Sequence, residues 1–196
     1  MQKLDRSTLH SLEEYATIRD EFRREVIAHK KPRRIAVTPN AVLYFEDFTT
    51  MKYQVQEMLR AERIFEADGI QDEIDAYNPL IPDGSNLKAT FMLEYPDVDE
   101  RRARLAELIG IEDLVYVRVG DFERVNAISD EDLDRSTDDK TSSVHFCRFE
   151  LTPEMIAAAK DGAPIRIGIA HENLTAEIEL EAASRDSLTA DLELPH

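Results

Sequence analysis

The stretch LKATFMLEY, Leu87–Tyr95, sets Leu87, Ala89, Phe91, Leu93 and Tyr95 on one side and Lys88, Thr90, Met92 and Glu94 on the other. A period of two belongs to a strand with one face buried. Downstream, an amphipathic helix over about Val98–Ile109 closes at Gly110. Leu114–Val119 and Phe122–Ile128 then flank Gly120-Asp121, a two-residue hairpin signal. Further strands are expected at Ser143–Leu151, Pro164–Ala170 and Thr175–Glu181. Between them lies a helix near Thr152–Lys160, with Pro153 at its first position and Gly162 past its end. A short helix is expected from Ala182.

Upstream the period changes to that of helices. Ser11 and Glu14 have capping-box spacing and open a helix to about Lys30, with Tyr15, Ile18, Phe22, Val26 and His29 on one face. Two strands, Arg34–Thr38 and Ala41–Glu46, turn at Pro39-Asn40. A helix over about Thr50–Ala67 and a shorter one over Ile70–Tyr77 follow, the second stopping before Pro79. Hairpins outnumber strand–helix–strand crossovers. The expected fold class is α+β, a largely antiparallel sheet from the second half packed with helices mainly from the first. With no linker or repeat, residues 1–196 read as one composite domain, helical over about 9–86 and sheet-rich over about 87–196.

Lys plus Arg is 24 and Asp plus Glu is 41, so the formal charge is 24 − 41 = −17. So negative a surface repels phosphate backbones, which argues against nucleic acid as a partner. The start, MQKLDRSTLHSLEEY, has no apolar run of the signal-peptide kind, and nothing later approaches a membrane span. A cytoplasmic protein is the expectation. The single cysteine, Cys147, leaves no intramolecular disulfide and no multi-cysteine cluster within one chain.

The helix over Thr50–Ala67 aligns Met51, Val55, Met58, Leu59 and Phe65 in one stripe. Glu62 falls near the middle of that stripe and Glu66 a turn beyond. A buried carboxylate needs a cation, hydrogen bonds or a metal. One reading pairs Glu62 with an arginine. The other makes Glu62, Glu66 and His145 ligands for iron, manganese or zinc, with Glu73 or Asp75 nearby. Tyr53, Glu57, Arg60 and Ile64 lie on the opposite side, so a second subunit in a homodimer could cover them. The loop YNPLIPDGSN joins two prolines to five polar side chains, with Tyr77, Asn78, Asp83 and Asn86 as candidate binding residues or, equally, a rigid connector.

His145 and Cys147 share a strand face, either as two metal ligands or as a bonded core histidine beside a buried thiol. His29 stands at a helix C-terminus, where the dipole favours it. Lys30, Lys31, Arg33 and Arg34 form the only basic run, read as neutralising that same helix end or docking an anion. Asp130, Asp132 and Asp134 resemble the start of a calcium loop. Arg135 stands where glycine is required, however, and Thr141 where the bidentate glutamate belongs. Ser129–Ser142 therefore reads as a solvated acidic loop.

The runs YQVQEMLRAERIFEADGIQDEIDAYNPLIPDGSNLKATFMLEYPD, SSVHFCRFELTPEMIAAAKDGAPIRIGI and LEEYATIRDEFRREVIAHKK resemble the family known as domain of unknown function 3501, over about Leu9–Leu192. The resemblance assigns no catalytic residue or cofactor. What it implies is context: bacterial genes of this family often lie beside those for rubrerythrin-like di-iron proteins and iron–sulfur oxidoreductases. The expected function is an accessory or interaction protein for such a redox partner. The alternative is a metal- or small-molecule-binding protein, or an enzyme, built on a carboxylate and histidine site.

Overall fold

The alternating stretch forms β3 (Asn86–Leu93), whose buried side is Leu87, Ala89, Phe91 and Leu93. The computed structural model describes residues 2–194. β3 pairs antiparallel with β2 (Ala41–Phe45) and β7 (Val144–Glu150), placing Phe91 between Leu43 and His145. With β1 (Arg34–Thr38) and β6 (Ile128–Ser129) it makes a five-stranded sheet, β1-β2-β3-β7-β6. A four-stranded antiparallel sheet, β5-β4-β8-β9, contains β4 (Val115–Val119), β5 (Val125–Asn126), β8 (Ile165–His171) and β9 (Leu174–Glu179). The fold is α+β, with two antiparallel sheets.

The inner faces share one core, Leu43, Phe45, Phe91 and Phe149 from the first sheet and Val115, Val117, Ile165, Ile167 and Ile169 from the second. β5 and β6 are one bent segment. Its first half pairs with β4 and its second with β7, while the Ala127 N–H between them donates to the Val115 carbonyl. This segment joins the sheets along one side. On the other side β1 and β9 are terminal strands, leaving a seam. The expected two-residue hairpin at Gly120-Asp121 is wider than its sequence signal: the last β4–β5 pair is Val117 with Val125, β4 runs on to Val119 against β8, and 120–124 is loop. Gly120, at φ 51°, instead donates to the Pro164 carbonyl of the neighbouring strand. On the outer face Gly168 lies opposite Tyr116, and a Cβ there would meet the phenol ring at 2.2 Å. The absent side chain lets the Tyr116 hydroxyl cross the sheet to Glu177 (2.9 Å).

The helical part has its own apolar cluster of Leu4, Met51, Val55, Leu59, Ile74 and Ile81. α1 (Leu12–Lys30) opens with the expected capping box of Ser11 and Glu14. Arg19 of α1 donates twice to Glu57 of α2 (Phe48–Glu62), at 2.8 Å each, and the Tyr15 hydroxyl donates once at 2.6 Å. Phe22 meets the Tyr53 ring edge-on at 6.0 Å. On the face of α2 expected to seek a second subunit, Tyr53 and Glu57 are thus met by α1 of the same chain, while Arg60 stays exposed. α2 stops at Glu62, short of the expected Ala67, because Arg63 turns left-handed (φ 56°) and the Ile64 N–H returns to the Leu59 carbonyl at 3.0 Å. An arginine in that conformation costs more than a glycine, so the sequence gives no warning of the stop. α3 (Ala67–Tyr77) begins three residues before the expected Ile70 and runs through Gly69. α4 (Val98–Glu107), α5 (Pro153–Lys160) and α6 (Ala182–Thr189) complete the chain. Among the described residues no helix is long and apolar enough to cross a membrane.

Candidate functional site

Glu62 is exposed as the last residue of α2, and Glu66 is exposed as the N-cap of α3. The expectation of a buried Glu62 is overturned. Its angle on the helix was read correctly, but the chain leaves the core after Leu59, one turn too early to cover it. Glu62 acts on Glu73 instead: burial first, and then the charges of Glu62 and Asp72, raise the Glu73 carboxyl above its usual range. His145 is wholly buried in β7, with Glu112, Asp130, Thr141 and Ser142 around it and neither Glu62 nor Glu66 among its partners. The three ligands expected for iron, manganese or zinc are not brought together. Among the described residues no three His, Cys, Asp or Glu side chains are grouped to hold a metal ion.

His145 nonetheless centres a buried polar cluster. Its Nδ1 lies 2.6 Å from Asp130 Oδ2, and its Nε2 lies 2.9 Å from Thr141 Oγ1 and 3.1 Å from the Ser142 carbonyl. A carboxylate oxygen only accepts, so the Nδ1 edge of the ring donates to Asp130. Thr141 gives its hydroxyl proton to Glu112 Oε2 at 2.9 Å, and Ser136 donates to the other Glu112 oxygen. The order Asp–His–Thr is that of a nucleophile triad, but here the Thr141 hydroxyl spends its proton on Glu112. Thr141 is also sealed, at 1% exposure. The cluster works as a latch. Asp130, held at φ 50°, accepts from the Phe146 N–H, and Arg135 binds Asp130 and Asp132 while stacking on Phe146 at 4.6 Å. The loop read as solvated is therefore anchored at both ends. Cys147 is buried beside it, and burial pushes its thiol well above the usual range, so it is no nucleophile.

The basic run divides by position. Arg33 is buried at 2% exposure and donates to Asp191 Oδ2 (2.5 Å) and to the Phe45 and Glu46 carbonyls (3.0 and 3.2 Å). It also lies 3.5 Å from Asp47 Oδ2, which is 2.5 Å from His29 Nε2. This network ties the end of α1, the start of α2 and the end of α6. Burial raises the Asp191 carboxyl above its usual range, and the Arg33 charge opposes that. Lys31 and Arg34 point outward instead.

Of the candidate loop residues, three are spent within the chain. Asn78 accepts from the Leu4 N–H (2.8 Å) and donates to its carbonyl (2.9 Å), holding the N-terminal segment. Asp83 accepts from Ser85, and Asn86 donates to Glu150 at 3.1 Å. The connector reading is the better one for these three. Tyr77 alone lines a cavity, one of about 280 Å³ between the end of α3 and the outer face of β3 and β7. A larger groove of about 580 Å³ occupies the seam, with Arg34, Ile35 and Ala36 of β1 facing Ile178 and Glu179 of β9 and Leu180 beyond it. No local pattern announces either concavity, because each forms between segments distant in sequence.

A crystal structure at 1.90 Å of a protein of unknown function from Burkholderia pseudomallei K96243 is similar to this chain, with 50% identity and a TM-score of 0.92. The match covers 98% of this chain and 100% of that one. Comparison with curated proteins finds no match. The family model described as protein of unknown function (DUF3501) matches residues 3–192. With nearly every residue that builds the two sheets and both polar clusters inside that match, the chain belongs to the DUF3501 family.

Proposed function

We propose that the chain is an interaction protein that receives an extended segment of a partner at the seam between β1 and β9. The supporting observation is that two terminal strands, one from each sheet, border a single groove of about 580 Å³. A terminal strand offers a row of backbone N–H and C=O groups to another chain, and alternate side chains then enter pockets. Ile35, Ile178 and Leu180 supply the apolar lining, and Lys31 and Glu181 supply opposite charges at its rim. The fitting partner is an extended segment with apolar residues between charges of both signs. The polar clusters around His145 and Arg33, by contrast, find their hydrogen-bond partners within the chain.

The redox proteins implied by the family resemblance, rubrerythrin-like di-iron proteins and iron–sulfur oxidoreductases, are the partners to test first. In this reading they carry the electron chemistry and this chain supplies the docking surface. The test is co-elution of the full chain with each purified partner, repeated with Lys31→Glu combined with Ala36→Lys. Co-elution lost in the double variant, with its melting temperature unchanged, is the expected result. Co-elution with none of these proteins sinks the redox assignment, and capture that ignores the double variant sinks the seam.

A further inference from the structure

We propose that the cavity beneath the end of α3 binds a small organic monocarboxylate, with its charge on Lys88 and its apolar body against Tyr77, Leu80 and Phe146. The cavity, about 280 Å³, lies just under the range of roughly 300–1,000 Å³ usual for drug-sized ligands, so its occupant is smaller. Three of the four charged groups lining it are already matched. Arg148 binds Glu131 through two hydrogen bonds, at 2.9 and 2.8 Å, and Glu150 at 2.5 Å. Asp132 holds Arg135 through two more, both 2.7 Å.

Lys88 is the exception. Its ammonium donates to the Pro79 carbonyl at 2.6 Å and makes no ion pair among the described residues. It also sits directly opposite Arg148 in the β3–β7 register. Like charges facing each other across a strand pair destabilise a sheet, and β3 carries this pair at the cavity floor. Burial lowers the Lys88 ammonium below its usual range and the Arg148 charge adds to that, while the carboxylates of Asp83, Glu131 and Glu150, none within ion-pair distance, oppose it only in part. A carboxylate seated on Lys88 replaces the lost hydration and separates the two cations. The walls limit the rest of the ligand. Tyr77, Pro79, Leu80 and Phe146 suit an aliphatic or aromatic body, and Glu131 and Asp132 at the rim repel a second negative charge. A monoanion fits; a dianion such as phosphate does not.

The test is calorimetric titration of the full chain with benzoate and with hexanoate, alongside benzamide as the neutral counterpart. Lys88→Met removes the charge and keeps the stem. Ala76→Trp, at an exposed lining position of α3, fills the cavity without touching the core. The expected result is saturable binding of at least one acid, weakened about tenfold or more in Lys88→Met. Ala76→Trp should abolish it, and benzamide should bind about tenfold more weakly than benzoate. Should Lys88→Met fail to fold, the Ala76→Trp and benzamide results decide alone. No saturable binding of either acid, equal binding of benzamide, or full binding by a folded Lys88→Met overturns the proposal.

Discussion

His145 has no exposure, and both its ring nitrogens and the carboxylates beyond them are enclosed. Removing it takes one hydrogen bond from Asp130, which keeps Arg135 and the Phe146 N–H, and leaves Glu112 to Thr141 and Ser136; a hydrogen bond to a charged group contributes about 1.5–3 kcal/mol. His145→Ala should therefore lower stability to denaturant by about that amount and speed amide exchange over residues 130–142. An unchanged denaturation midpoint would show that the latch carries no weight. The strand alternation put His145 on the core face, and hydrogen bonding in the core was one of its two readings. The acids that bind it were not legible, because they come from a loop and from the turn before β4. Glu62 illustrates the opposite failure. Its angle on the stripe was plain, but its burial depended on where α2 ends, and that rests on one arginine accepting a left-handed conformation.

At the scale of elements, α1 and α2 are clamped by Glu57, which Arg19 and Tyr15 reach from the facing helix. The Arg19 guanidinium holds the Glu57 carboxyl down to about 2 from the usual 4.5, with the Tyr15 hydroxyl adding to it. A depressed carboxylate stabilises the fold fully above its unfolded value, and that contribution is lost as pH falls from 4.5 towards about 2. Glu57→Gln should cost about 1.5–3 kcal/mol at pH 7, the worth of hydrogen bonds to a charged group. It should cost much less near pH 2, where Glu57 is losing its charge. Melts of the two proteins across that range provide the check, and parallel curves would refute the clamp. The amphipathic pattern of both helices was visible in the sequence; that Glu57 and Tyr53 of one meet Arg19, Tyr15 and Phe22 of the other was not.

The whole molecule carries a formal charge of −17, and self-repulsion of that size opposes compaction. Salt shortens the screening length from about 10 Å at 0.1 M to about 3 Å at 1 M, which relieves long-range repulsion before it breaks short contacts. The melting temperature should therefore rise with sodium chloride, and a fall would mean that the surface ion pairs outweigh the net charge. The α+β class, the acidic composition, most strand positions and the family were legible along the chain. Each of these follows from local periodicity, composition or direct likeness. Folding in three dimensions was needed to show that the strands divide into two sheets joined through Ala127, that Arg33 and His145 are buried in polar networks, and that Lys88 faces Arg148. Strand register and the partner of a buried charge are set by contacts between distant segments, and no local period of the chain encodes them.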